Sequence, residues 1–379
     1  MEQFRPLFET PSPDIQNFVR GIKGEITPKQ PLMCEYLVDD CLMKPILEGF
    51  LGREWVEKSD KTEYMGGQMS FSKEDIDVMN RWLDNQIAFW HGMGYDFVRV
   101  EVSTPLPAVS LVTRDTAAGN TDHNRAWQGL DEGPIGSWED FERYPWPEVS
   151  DESFYIHEYI CSHLPEGMGF TSCHAGGVYE HVSRLMGYTG LCMALYDAPD
   201  LVKAVADRVG GIIQKYNEGL LGFGPLFAIF QGDDFGYNTQ TLIAPDHIRE
   251  YFLPWHKVFA KQAHDAGKLY FLHSCGKLDD IIEELIDDVG IDGKHSFQDN
   301  VLPVGAYKER WGGRIALLGG IDVHKLATFA PADLRRYVRD TIDECAAGGR
   351  FAVGAGNSVP SYIPLENYLT LIDEARRPV

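Results

Sequence analysis

The sequence predicts an α/β protein built as a single (β/α)8 barrel of the TIM type. Three observations lead there. Eight short apolar runs recur along the chain, amphipathic helical patterns fill the intervals, and no linker divides the 379 residues. Strands that alternate with helices form parallel sheets, and eight such units within about 350 residues match one barrel.

Residues 1–30 are polar and proline-marked, and read as an N-terminal extension with one short helix around 13–23. The barrel domain then occupies 31–379. Its expected strands are Pro31–Leu37, Asp96–Val102, Gly169–Ala175, Leu226–Gly232, Leu269–His273, Ile291–Phe297, Ile315–Gly320 and Phe351–Gly356. Most end in the Gly, Asp, Ser or Asn that marks a strand leaving into a loop. The clearest helical pattern lies between the fifth and sixth: Leu278, Ile281, Ile282, Leu285, Ile286 and Val289 recur on one face, with acids on the other. Residues 72–93, 199–219, 246–266, 331–347 and 364–377 repeat that period. Ser72 followed by Asp75 is a capping-box start, and Pro199 suits a first helical turn. The stretch 103–153, rich in Pro, Gly and Trp, reads as an excursion on the loop face.

Composition narrows the partners. With 34 Lys+Arg against 57 Asp+Glu the formal charge is −23, a field that repels nucleic-acid phosphates and anionic lipid surfaces. No apolar run approaches the length of a membrane-spanning helix, and the N-terminus lacks a basic segment followed by an apolar one. The seven cysteines are scattered and odd in number, which suits a reduced, cytoplasmic chain rather than a disulfide framework.

Barrel active sites collect at the C-terminal ends of the strands. The residues there are Glu35, Asp39 and Asp40, then Glu101, Cys173, His174, Asp233, Asp234, His273, Cys275, His295, Gln298, Asp322 and Asn357. The sharpest local signal is Leu272-His273-Ser274-Cys275-Gly276. Imidazole and thiolate are ligands that a borderline-soft cation such as Zn²⁺ prefers, and a His-x-Cys pair leaving a strand points both side chains one way. The bland alternative is a core histidine beside a buried cysteine. Asp233-Asp234 ends an apolar strand with two mutually repelling carboxylates, suited to acid–base work, to a cation or to a turn. Glu101 is a carboxylate inside an apolar strand, costly there unless paired or metal-bound. His174, before Gly176-Gly177, lies where it can approach a ligand, and Gln298 and Asn357 complete a candidate substrate-binding set with Asp233. There is no phosphate-binding Gly-rich Lys loop, no Gly-x-Ser-x-Gly elbow and no Cys-x-x-Cys pair.

The block from Gly232 to Asp299, together with LLGGIDVHKLATFAP (317–331) and GNSVPSYIPLENY (356–368), resembles the uroporphyrinogen decarboxylase superfamily. The resemblance implies the same barrel and one of two chemistries: decarboxylation of a porphyrinogen, or methyl transfer to or from a corrinoid. His273-x-Cys275 resembles the zinc motif of the methyltransferase branch, where a cysteine near the last strand is the third ligand. Here that region reads Val353-Gly354-Ala355-Gly356-Asn357, so the third ligand comes from Glu101, His295 or Asp234, or the zinc site is lost. The decarboxylase branch fits less well. Its Arg-rich N-terminal motif is replaced near 28–40 by the acidic PKQPLMCEYLVDD, and its histidine near the last strand is missing.

The resemblance therefore implies a cobamide-dependent methyltransferase. Zinc would be held by His273 and Cys275, Asp234 or Glu101 would act as the acid, and the corrinoid (cobalamin) would arrive on a partner protein. The methyl donor or acceptor is a small methoxy or thiol compound. The alternatives are a metal-free, decarboxylase-like lyase using Asp233 or Asp234, and a binding protein that kept the barrel without its chemistry.

Overall fold

The computed structural model describes residues 2–9, 11–58, 71–102, 104–108, 110–114, 124–128 and 132–378. Eight parallel strands form the central sheet: β1 (Leu32–Met33), β2 (Phe97–Val102), β5 (Gly169–His174), β6 (Leu226–Gly232), β7 (Leu269–His273), β8 (Gly293–His295), β9 (Ala316–Leu318) and β10 (Phe351–Val353). The hydrogen-bonded order is β1-β10-β9-β8-β7-β6-β5-β2, with helices between consecutive strands. This is the (β/α)8 barrel read from the sequence. A two-stranded antiparallel hairpin, β3 (Ser110–Arg114) with β4 (Asn124–Gln128), lies within the predicted excursion.

Every strand is where the apolar runs put it, but six are shorter, four of them by three residues or more. Pro31–Leu37 contributes only Leu32–Met33 to the ladder, and the last three expected strands keep three residues each. For β8 and β9 the reason is local: Ser296, Gly319 and Gly320 have positive φ, which turns the chain out of the extended ladder just after those strands. The helix starts are as expected: Ser72 accepts from Asp75 N and completes a capping box, and Pro199 opens Pro199–Leu220. The strongest helical period behaves differently. Leu278, Ile281, Ile282, Leu285, Ile286 and Val289 are all buried, yet only Ile282–Glu284 is α-helical and Leu285–Val289 is a π turn. Left-handed Gly290 closes it by donating to Leu285 O.

The apolar core has two layers. One lies between sheet and helices; the other fills the lower barrel with Phe97, Phe227, Phe230, Phe271 and Leu318. The N-terminal extension seals that lower end. Asp14 caps the helix Ile15–Ile22 through Asn17 N, and Phe18 packs edge-on against Phe97 and Phe227.

Among the described residues no ladder bond joins β1 to β2. Side chains bridge the seam instead: the Arg99 guanidinium of β2 lies 4.0 Å over the ring of Tyr36, just after β1. No helix among the described residues is long and apolar enough to cross a membrane.

On the opposite flank β1 is held close to β10. A Cβ on Gly354 would land on the carbonyl oxygen of Cys34. Gly354→Ala is therefore expected to cost about 1–3 kcal/mol as overpacking, read as a lower urea-unfolding midpoint by circular dichroism. An unchanged midpoint would mean the two strands separate without penalty.

Candidate metal centre

The ladder register brings the central strand ends level: Gly232 pairs with His273, and His273 with His295. Residues that leave those ends therefore meet above the barrel. Asp234, His273 and Cys275 do so, each offering one donor atom, all within 4.8 Å of one another. His273 Nε2 lies 3.4 Å from Cys275 Sγ and 3.7 Å from Asp234 Oδ1. Tetrahedral zinc, with bonds of about 2.0–2.3 Å to N, O and S, spaces its donors about 3.4–3.6 Å apart. The donor types and the two distances from His273 thus suit a zinc ion, with the third separation within 4.8 Å.

The imidazole presents the right nitrogen. Ala355 O can only accept, so the 3.3 Å contact with His295 Nε2 places a proton on that nitrogen. His295 Nδ1 is then an acceptor, and at 2.7 Å it takes the proton of His273 Nδ1. His273 Nε2 keeps its lone pair, aimed at Asp234 and Cys275. A backbone carbonyl so fixes the tautomer of a ligand through a second imidazole. Burial keeps both rings neutral, lowering His295 to about 3 and His273 well below its ordinary value.

The sulfur is prepared too. Ser296 Oγ donates to Cys275 Sγ at 3.4 Å and Asn357 Nδ2 at 3.3 Å, and both contacts favour the thiolate. Burial and the neighbouring Asp234 outweigh them and push the thiol up to about 12. Burial likewise raises Asp234, with Asp233 adding to the shift and the Cys275 amide opposing it. A carboxylate and a thiol so close together, without a cation, favour the protonated thiol. A divalent ion reverses that balance.

His273 and Asp234 open onto a cavity of about 810 Å³. Trp82, Trp90, Met43 and Leu106 supply apolar wall, and Arg99, Glu101, Glu180 and Arg184 supply charge. Tyr36 stacks on His273 with ring centroids 4.0 Å apart, so the seam-bridging Arg99–Tyr36 pair also backs this imidazole. Glu180 is half-buried; desolvation, with Asp234 and Asp233 nearby, raises its carboxyl to about 8.

No protein-family model matches the sequence, and no curated protein matches it. Solved structures do. A methyltransferase from Methanosarcina mazei is 15% identical and superposes with a TM-score of 0.67, covering 95% of this chain and 97% of its own. The intracellular xylanase TsXylA from Thermoanaerobacterium saccharolyticum is 12% identical over 58% of this chain and 80% of its own, with a TM-score of 0.38. At 15% identity the first likeness is one of fold, and it extends over the whole barrel.

Of the residues singled out from the sequence, Asp234, His273 and Cys275 come together, and Asn357 joins them as a donor to the sulfur. His295 lies outside this group, its Nδ1 against His273 Nδ1 and its Nε2 against Ala355 O. Glu101 lines the cavity but is bound to the buried Arg99, Nη2 to Oε1 at 2.5 Å. Asp233 does not reach the cavity. Fully buried, it accepts from Tyr179 N and Glu180 N at the start of helix Val178–Met186 and pairs with His256 Nε2 at 2.9 Å. His174 is also buried behind the wall, bonded to Thr104 N and Oγ1, where burial lowers it to about 4. Gln298 lies apart, lining a second cavity that Asn357 shares. Tyr36, Arg99, Glu180, Lys294 and Ser296 were not anticipated. Arg99 and Lys294 had a signal in retrospect: each is a cation inside a short strand.

The adjacent aspartates should therefore separate cleanly. Asp233→Ala leaves His256 and two helix amides without their acceptor and is expected to cost about 3 kcal/mol or more. Asp234→Ala removes a partly exposed anion and should cost less than about 1 kcal/mol. Urea unfolding of both metal-free variants checks this; equal losses would contradict the assignment.

Proposed function

We propose that this chain is a zinc-containing, corrinoid-linked methyltransferase. It would move a methyl group between a small methoxy or thiol compound and a corrinoid carried on a partner protein. The observation that carries the reading is the Asp234–His273–Cys275 set, its donor atoms within 4.8 Å of one another, beside a roomy cavity at the C-terminal barrel face. The fold likeness to a methyltransferase from Methanosarcina mazei supports it, as does the sequence resemblance to the methyltransferase branch. Asp234 supplies the third ligand where that branch has a cysteine.

Bound there, the zinc ion supplies a Lewis acid for a methoxy oxygen or a thiol. The chain's own residues do the rest. Trp82, Trp90, Met43 and Leu106 bury the methyl compound and exclude water. Glu180, whose carboxyl desolvation and the neighbouring aspartates raise to about 8, is the proton source for a leaving alkoxide or phenolate. It takes the acid role expected of Asp234, which the metal occupies, and of Glu101, which Arg99 occupies. A metal-free lyase loses one of its two candidate residues, because Asp233 is sealed behind the wall.

Protein purified without chelator or histidine tag is expected to hold about one zinc per chain by plasma emission spectrometry, with Cys275→Ser largely empty. The sign of its pH dependence follows from the thiol. The proton on Cys275, held up to about 12 without metal, must leave for the sulfur to bind. Affinity should rise about tenfold per pH unit across the neutral range, with about one proton released per zinc from that thiol. A wild-type chain that takes no zinc would end this reading.

Glu180→Gln tests the acid. It should keep its zinc yet slow demethylation of methoxylated compounds, assayed with a Co(I) corrinoid protein, by about 10²-fold. Wild-type turnover in that variant would remove Glu180 from the reaction.

A further inference from the structure

Two oddities lie on one short segment after β8. Lys294, 1% exposed, is a buried cation whose three hydrogen bonds all go to main-chain carbonyls: Ser296 O at 2.5 Å, His295 O at 3.3 Å and Ser274 O at 3.4 Å. Its ammonium also faces the rings of Phe297 and Tyr307, at 4.6 and 5.0 Å. Burying a charge is costly, and an apolar side chain of similar volume would fill this space without that cost. The second oddity is Ser296, with φ of 82°. A left-handed backbone is unfavourable for a residue with a Cβ and persists only where the surroundings impose it.

The two are connected. The neighbours of Ser296 are pinned from both sides: His295 O accepts from Ser274 N, and Phe297 N donates to Gly356 O at 2.7 Å. Between these anchors the Ser296 carbonyl turns toward Lys294 Nζ, and the left-handed turn sends the hydroxyl to Cys275 Sγ. Ser274 precedes Cys275 in sequence, the Ser296 hydroxyl touches its sulfur, and the carbonyls of both serines bond the same ammonium.

We propose that Lys294 is a positioning residue for the metal-site sulfur: it clamps the segments after β7 and β8 together and holds Ser296 in the left-handed conformation from which its hydroxyl donates to Cys275. The purpose of the clamp rests on reading Cys275 as a metal ligand; its geometry does not. Electrostatics agree. Burial lowers the ammonium to about 8 while Cys275 and Asp234 oppose that shift, so the charge is felt by both potential anions.

The test uses the full chain, made metal-free, as wild type, K294M, S296A and the double variant. Zinc affinity is measured by competition with a chromophoric chelator. Alkylation of the Cys275 peptide by iodoacetamide is timed by mass spectrometry, a readout that needs no metal. K294M and S296A are each expected to weaken zinc binding by about 10- to 100-fold and to slow alkylation to a similar degree. The double variant should be no worse than S296A. Wild-type affinity and alkylation in K294M would overturn the proposal, and so would a K294M effect that persists in full on the S296A background.

If K294M does not fold, S296G decides. Glycine takes the left-handed φ without strain but has no hydroxyl, so folded S296G must show the same losses, and wild-type behaviour there overturns the clamp. A wild-type chain that binds no zinc would defeat the metal reading, and the alkylation rates would still decide the role of Lys294.

Discussion

Placing a carboxylate and a thiol beside one neutral imidazole, largely out of water, is the constraint to which the upper barrel answers. Asp234 raises the proton affinity of the Cys275 thiol, Asp233 raises that of Asp234, and burial raises both. Such a site is electrostatically incomplete until a cation enters. What surrounds it offsets that deficit piece by piece. Ser296 and Asn357 donate to the sulfur, and the Cys275 amide donates to Asp234. The His295–Ala355 chain keeps the imidazole uncharged with its lone pair inward. Lys294 adds a fixed positive charge behind the pair.

The barrel makes this arrangement cheap to assemble. Level register across β6, β7 and β8 brings the strand ends together without long loops. The Arg99–Tyr36 bridge at the β1–β2 seam continues into the Tyr36–His273 stack, so the join that closes the barrel also packs against the imidazole of the candidate site. Asp233 ties β6 to the start of helix Val178–Met186, whose third residue is the cavity-lining Glu180. Fold and site share these side chains, which is why several of them are both buried and polar.

Much of this was legible in the sequence. Apolar runs and helical periods locate all eight barrel strands, because a doubly buried parallel strand needs a near-continuous apolar run. His273 and Cys275 announce themselves by ligand type and spacing, and Asp234 was among three named candidates for the third position. The misses share a physical cause. Nothing in Asp233-Asp234 says which carboxylate turns toward helix Val178–Met186 and which toward the cavity, since that depends on a single backbone turn past Gly232. Whether His295 ligates or supports depends on which ring nitrogen meets which neighbour. His174 and Gln298 stand at strand ends as expected, but side-chain direction sends one behind the wall and the other to a different cavity. Leu278–Val289 shows the same limit: its period identifies the buried face, not the hydrogen-bond ladder that presents it.

The exchange of a cysteine near the last strand for Asp234 bears on the chemistry in the proposed reading. Thiolate and carboxylate each bring one negative charge, so the formal charge around a divalent ion is unchanged. Their softness differs. A thiolate delocalises more charge onto the metal, whereas a carboxylate oxygen leaves it a stronger Lewis acid. A harder centre polarises an ether oxygen better than it tunes a soft thiol. Asn357 follows the same direction: standing near the last strand, it donates to Cys275 and withdraws charge from the one sulfur that remains. Both changes favour a methoxy compound over a thiol as the partner bound at this centre. A proton source such as Glu180 on the same cavity wall is what an ether needs and a thiol acceptor does not, because only the ether leaves behind an alkoxide to be protonated.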